Sequence, residues 1–381
     1  SLDYVSIHLY PIDSVFNDST IYNQKPFYVG NTLDSVYFEL NSLAPGKYEF
    51  IAIKDQSKNY YFDQSFDKIG FFEKPIEIPK DSFFLPVLFK EVSNFGWGRA
   101  KIINDHHIEF PYYGELGKRK VKILNNFEEG TISFFTKDRE KDTLHFWFTP
   151  QKKLDSILTE VKIKDSTQVV TLKPFKLEKD SLVLKISPSN GGKIDFLDTL
   201  KISSNLPITE VNNDLIQIFD IDTLEIPFST EIDNNLDLVY LNFEKVPNDL
   251  YQIQLLPNAI KDFLGSTNDT IFHKNNTTKI EDYGKLFLTV KRKNYQKNYI
   301  LELLNNKREQ VRRIKNNSEN FYTMEYLPPG EYQIRIIKDA NGNGKWDTGN
   351  YLKKIQPEEV EYLKESLNVR ANWEFNEIIE I

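Results

Sequence analysis

The chain contains no cysteine in its 381 residues. Disulfides, thiolate zinc centres, iron–sulfur clusters and a cysteine nucleophile are therefore excluded. The compartment is left open, because an exported protein need not carry disulfides. No apolar run approaches the roughly 20 residues of a membrane-spanning helix. Surplus positive charge is missing too. Lys and Arg number 48 against 56 Asp and Glu, a net charge of −8, which argues against a surface that neutralises nucleic-acid phosphates. Histidine is sparse at five residues, and the sequence holds no H-E-x-x-H, G-x-S-x-G, P-loop or dinucleotide-binding G-x-G-x-x-G pattern.

What is present reads as globular and β-rich. Hydrophobic residues make up 40% and charged residues 27%, and the aromatic content of 14% rests on 28 Phe and 20 Tyr, types favoured in strands. Apolar segments are short and alternating: Val36–Leu40, Lys47–Ile53, Leu286–Val290 and Tyr332–Ile337. Near the C-terminus Leu367, Val369, Ala371, Trp373 and Phe375 occupy every second position, which predicts one face of a single strand. Turn clusters at intervals of about 8–12 residues suit sandwiches. Helical periodicity is confined to short stretches near 258–262 and around Leu154. Residues 4–10 read as a strand already under way, with no initiator Met or leader pattern before it. The expectation is a piece of a longer chain whose first strand, and any signal peptide or lipid-bearing Cys, lies upstream.

An internal repeat organises the chain. LAPGKYEFIAIKDQSKNYYFD (43–63) aligns without gaps on LPPGEYQIRIIKDANGNGKWD (327–347). Nine positions are identical: Leu43/Leu327, Pro45/Pro329, Gly46/Gly330, Tyr48/Tyr332, Ile53/Ile337, Lys54/Lys338, Asp55/Asp339, Asn59/Asn343 and Asp63/Asp347. Pro-Gly predicts a type II turn with positive φ at the glycine; a strand and an Asp/Asn-rich loop follow. Two copies of one module therefore sit near the ends. The stretch Ser187–Gly192 reads as a linker. The predicted architecture is an all-β tandem array of four sandwiches at 1–91, 92–184, 185–282 and 283–381.

The L-x-P-G-x-Y pattern with its K-D end resembles the transthyretin-like, or carboxypeptidase-regulatory-like, sandwich. SPSNGGKIDFLDTLKISSNLPI (187–208), with the later NAIKDFLGSTNDT (258–270), resembles the bacterial Ig-like domain first described in S-layer proteins. The combination is similar to Ig-like-domain surface lipoproteins of Bacteroidota, and the Lys-, Asn- and Ile-rich composition fits that source. The resemblance implies an exported, non-enzymatic scaffold at the outer membrane or cell surface. It would be an accessory lipoprotein with other surface proteins as partners, touching the membrane only through an upstream lipid anchor. Asp-Ser/Thr-apolar triplets (Asp13, Asp34, Asp142, Asp155, Asp180, Asp198, Asp222 and Asp269) resemble the O-glycosylation sequon of such proteins; they also suit a turn handing over to a strand.

The sharpest candidate site is Asp339-Ala340-Asn341-Gly342-Asn343-Gly344-Lys345-Trp346-Asp347-Thr348-Gly349-Asn350. Oxygen side chains at loop positions 1, 3, 5 and 9 with Gly at 6 match the register of an EF-hand calcium loop. Asp339, Asn341, Asn343, the Lys345 carbonyl, Asp347 and Asn350 would be the ligands. Position 12 is Asn350 rather than a bidentate Glu, and the flanks are strands. The alternative is a metal-free Asn/Gly-rich hairpin loop. In the first copy Tyr60 replaces the position-6 Gly, so that loop is expected to resist the bend.

His106-His107 hints at a metal, but neighbours on a strand point to opposite faces, so that pair cannot converge there. His145 reads as a half-buried strand residue. Glu128-Glu129 and Glu358-Glu359 read as solvated edges rather than paired glycosidase acids. The aromatic clusters at Phe95/Trp97, Phe110–Tyr113 and Tyr60–Phe62 are either platforms for glycans or a protein partner, or ordinary packing.

Overall fold

The structure is a computed structural model that describes residues 4–33, 36–80, 83–118, 120–149, 156–163, 166–172, 181–292, 298–315, 319–363 and 365–380. Among them the only α-helix is the four-residue Thr20–Asn23; almost every other element is a strand, and the sheets are antiparallel but for one pairing. The fold is all-β, as the alternation predicts. The stretch expected to be helical near 258–262 enters the strand Ile260–Asp262 through a turn. Leu154, Asp34, Asp155 and Asp180 lie outside the described residues.

The strands fall into four successive groups. The first group has one five-stranded sheet: Tyr28–Asn31, Ser6–Pro11, Gly46–Lys54 and Lys68–Phe71 in that order, with Ile76–Ile78 also on Gly46–Lys54. In the second, the sheet centred on His107–Tyr113 and Thr143–Phe148 faces the three-stranded sheet around Ile157–Ile163. The third stacks a sheet containing Leu200–Ser204 and Leu238–Phe243 on one containing Leu250–Leu255. In the fourth, Phe321–Leu327, Gly284–Lys291 and Glu374–Glu380 cover a five-stranded sheet built on Gly330–Ile337.

Period 2 explains most of the cores. Ile108, Phe110 and Tyr112 face inward with Leu144, Phe146 and Phe148. The C-terminal alternation is shared between two sheets instead of forming one strand. Leu367–Val369 pairs with Gly330–Tyr332, Asn372 turns with positive φ, and Glu374–Glu380 runs parallel to Gly284–Lys291. Leu367, Val369 and Phe375 reach the core, while Trp373 at the turn is 56% exposed. Val36–Leu40 forms no strand, although Phe38 and Leu40 pack on the first core. The expected linker at 187–192 is tied into the third group: Gly191 N–H donates to the Lys274 carbonyl at 2.7 Å, and the Asn275 amide donates to the Ser189 and Gly192 carbonyls.

The repeat is a structural one, but its turn differs from expectation. Neither Gly46 nor Gly330 takes positive φ; the left-handed residues are Ser42 and Tyr326, which are equivalent positions in the two copies. Each tyrosine ring lies against its glycine, and its hydroxyl donates to the carbonyl four residues back: Tyr48 to Ala44 at 2.9 Å and Tyr332 to Pro328 at 2.7 Å. This is the tyrosine-corner device of Ig-like sandwiches, in which a buried phenol fastens a connection to the sheet. In the third group the Tyr251 hydroxyl accepts from Val246 N–H at 2.7 Å.

The first sheet is apolar on both faces. Ile7, Leu9, Tyr48, Phe50 and Ala52 fill one side. Tyr10, Ile51, Ile53, Ile69 and Phe71 fill the other, and there Tyr351 of the fourth group is inserted, fully buried. Its ring meets Phe71 edge-on at 5.2 Å, and its backbone N–H donates to the buried Glu91 carboxylate. Burial, with Glu49 nearby, pushes its phenol far above the ordinary range, so it stays neutral. Lys354 Nζ covers the ring at 3.8 Å and pairs with Glu49 at 2.7 Å and Asp18 at 3.0 Å. Gln356 Nε2 donates to the Phe71 carbonyl at 2.9 Å, and Thr348 Oγ1 to that of Lys90 at 2.6 Å. The chain thus returns on itself and joins its two repeats. Truncating a buried aromatic costs about 3–5 kcal/mol. Tyr351→Ala is therefore expected to lower the melting temperature and enlarge the radius of gyration in small-angle scattering; an unchanged profile in both would remove Tyr351 from this role.

Candidate functional site

The two Asp/Asn-rich loops are built alike. In the fourth group the buried Asp339 carboxylate accepts from Asn343 N–H at 3.1 Å and Gly344 N–H at 2.8 Å. In the first, the buried Asp55 accepts from Tyr60 N–H at 2.8 Å, the position equivalent to Gly344. Asn343 Oδ1 accepts from Lys345 N–H at 2.9 Å, and Asn59 Oδ1 from Tyr61 N–H at 2.8 Å. Short oxygen side chains two to five residues upstream cap backbone N–H groups that no strand ladder reaches.

A second carboxylate closes each loop. Asp67 accepts from Gln56 N–H at 3.0 Å and Asp63 N–H at 2.9 Å. Glu358 accepts from Ala340 N–H at 2.7 Å and Asp347 N–H at 3.0 Å, the equivalent two donors. Burial raises the pKa of Asp67 against the opposing pull of those N–H groups. Glu358 is therefore a half-buried loop clamp rather than a solvated edge. Sequence reading missed the pair because the two carboxylates lie at different offsets beyond the repeat.

Of the expected calcium ligands, Asn341, Asn343 and Asp347 converge: both amides donate to Asp347 Oδ2, Asn343 at 2.6 Å. Asp339 sits at the loop root and Gly344 supplies the positive φ of position 6. Lys345 contributes its N–H to Asn343. Asn350 stands apart: its Oδ1 accepts from Lys353 N–H at 3.0 Å, and its backbone pairs with Ile355 in the hairpin that carries Tyr351. The donor set suits a hard cation in kind, with short Asp and Asn side chains, provided the two amides rotate to turn their oxygens inward.

The expected resistance of Tyr60 to the bend is not what the backbone does. Tyr60 takes φ +67°, a left-handed conformation that is an outlier for a bulky residue. The Asp55 hydrogen bond fixes its N–H, and its ring tilts against His8 at 5.9 Å.

The aromatic clusters are engaged in packing. Phe95 meets Trp97 at 5.1 Å, Trp97 meets Tyr112 at 6.2 Å, and all three join the second core. Phe62 is buried in the first, whereas Tyr113 is exposed. The triplets at Asp142, Asp198 and Asp269 sit directly before strands, at turn-to-strand handovers. His106 bonds Asp105 at 2.8 Å, whereas His107 meets His145 of the neighbouring strand. No helix among the described residues is long and apolar enough to cross a membrane.

No protein-family model matches the chain, and no curated protein matches it. Among solved structures, the insect immune protein hemolin is 9% identical, with 98% of this chain and 92% of that one covered at a TM-score of 0.21. The domains MG0-NIE-MG1 of native alpha-2-macroglobulin from Escherichia coli are 10% identical, covering 49% of this chain and 90% of that one at 0.24. Domains A168-A170 of titin are 10% identical, covering 73% and 97% at 0.18. Identity and TM-scores this low carry no argument about function.

A left-handed backbone favours glycine over other residues by about 1–2 kcal/mol. Tyr60→Gly is therefore expected to be more stable than Tyr60→Ala by about that amount in thermal or urea unfolding. Equal stabilities would show that the bend is not maintained when the ring is removed.

Proposed function

We propose that this chain is a non-enzymatic interaction scaffold, exported to the cell surface and serving as an accessory lipoprotein subunit of an outer-membrane complex. The division into units at 1–91, 92–184, 185–282 and 283–381 belongs to the same proposal, as does attachment through a lipid anchor outside this chain. The observation that carries it is an extended segment of the first group. Phe84 and Leu88 pack on the core, while Phe83, Leu85 and Val87 between them are 85%, 76% and 62% exposed. Three apolar side chains presented in a row on an anchored backbone suit a protein partner. Packed contacts join its group to the others. Phe196 contacts Tyr326 at 5.2 Å between the third and fourth groups, and Tyr351 links the fourth to the first.

The test is gentle detergent extraction of the native protein and mass spectrometry of what co-purifies in fixed stoichiometry. A constant set of membrane proteins, lost when Phe83 and Leu85 are both replaced by Asp, is the expected outcome. Recovery of the chain alone would move the adhesin or glycan-binding alternative to first place.

Calcium at Asp339, Asn341, Asn343, the Lys345 carbonyl and Asp347 is part of the proposal, without the Asn350 side chain that caps Lys353 N–H, and it would stiffen the loop that leads into the Tyr351 hairpin. Removal of calcium with a chelator should lower the melting temperature of the wild type, and Asp347→Ala should abolish the difference. Superimposable melts of the wild type with and without chelator would overturn the assignment.

A further inference from the structure

The outer face of the main sheet in the second group carries a side-chain cluster that the scaffold reading does not use. His107 and Glu109 alternate on the strand His107–Tyr113 and so share one face. On the adjacent strand Thr143–Phe148, Trp147 stands opposite His107 and His145 opposite Glu109. His107 Nε2 lies 2.8 Å from His145 Nδ1, and one ligating atom from each of His107, His145 and Glu109 falls within 4.8 Å of the other two.

We propose that His107, His145 and Glu109 bind a borderline transition-metal ion, zinc being the reference case. Two imidazole nitrogens and a carboxylate oxygen select this class over calcium or magnesium, which prefer all-oxygen sets. The surrounding bonds orient the ligands. His145 Nε2 contacts Asp138 Oδ2 at 3.1 Å; an ionised carboxylate only accepts, so the proton sits on Nε2 and the Nδ1 lone pair faces His107. Carboxylate–histidine–metal chains use this arrangement. The His107 ring is stacked on Trp147 at 3.8 Å and 8°, and Trp147 Nε1 is held by Thr136 Oγ1 at 2.9 Å.

Without metal, His107 Nε2–H donates to His145. An ion takes the place of that proton, which moves to Nδ1 of His107, so that the ligand remains a neutral imidazole. Zinc–nitrogen bonds of about 2.0–2.1 Å at a tetrahedral angle put the two nitrogens about 3.3 Å apart, so the rings need to part by about half an ångström and to tilt until both lone pairs meet at the ion. The two histidines border a cleft of about 360 Å³ that is also lined by Asp138 and by Asn205, Asn235 and Asp237 of the third group. Arg139 crosses the same cleft to Asp237 at 2.7 Å and to Asp233. The ion therefore lies beside the joint between the second and third groups, and a water or a partner's side chain completes its coordination.

The test uses untagged full chain titrated with zinc by calorimetry in excess calcium, and with cobalt(II) read by visible absorption. One equivalent of zinc should bind, with a tetrahedral cobalt spectrum. His145→Gln should abolish both signals, and Asp138→Asn should weaken zinc binding by about 10–100-fold. His273→Gln, on the third group, should leave both unchanged. Glu109→Gln, a substitution at a half-buried surface position, keeps the test open should His145→Gln melt early; it is expected to weaken binding. Absence of saturable zinc binding by the wild type, or binding that neither His145→Gln nor Glu109→Gln alters, would overturn the proposal and leave the histidines as a hydrogen-bonded pair.

Discussion

The arrangement of this chain depends on the burial of one aromatic ring. Tyr351 is fully enclosed on the second face of a sheet that belongs to the other end of the sequence. Without it Tyr10, Phe71 and Phe89 would form an apolar surface open to water, a strong driving force at about 25 cal/mol per Å². The polar groups around the ring give the contact its specificity. Glu91 and Glu49 are both buried carboxylates, and each is met from the fourth group, by the Tyr351 N–H and by Lys354. A buried carboxylate left without its partner is strongly unfavourable, so the two ends match in charge as well as in shape.

The repeated modules serve that closure in different ways. Both use the same strand, the same buried tyrosine corner and the same aspartate that caps its following loop. They diverge after the loop. In the first copy the chain returns through Asp67 to the sheet edge Lys68–Phe71. In the second it extends through the Asn350–Ile355 hairpin into the first copy before Glu358 closes the loop. One module is the socket and the other the plug, and the ion-binding geometry proposed for the second lies directly upstream of the plug.

The second and third groups join through a comparable mix of rings and charge. Phe263 lies among Phe134, His106 and Trp147 at 5.6–5.9 Å, and Arg139 reaches Asp233 and Asp237. This joint covers part of a sheet face that also carries His107, Glu109 and His145. Polar side chains that alternation assigns to solvent become a sheltered cluster because another unit docks beside them.

The sequence alone determined the fold class, most strand positions and the repeat. Period-2 alternation and Pro-Gly punctuation are local signals that survive any tertiary arrangement. It also marked Asp339, Asn341, Asn343 and Asp347 as one loop, because loop residues close in sequence are close in space. Only the tertiary structure decided what depends on distant segments meeting. The Pro-Gly turn gave way to a tyrosine corner, Tyr60 accepted a left-handed backbone, and the alternating C-terminal run was divided between two sheets. Asn350 was drawn into the Tyr351 hairpin, and His107 found His145 across a strand pair rather than its neighbour His106. Each of these outcomes is set by a partner far along the chain, and pairing register and unit docking choose that partner, which no local pattern of residues encodes.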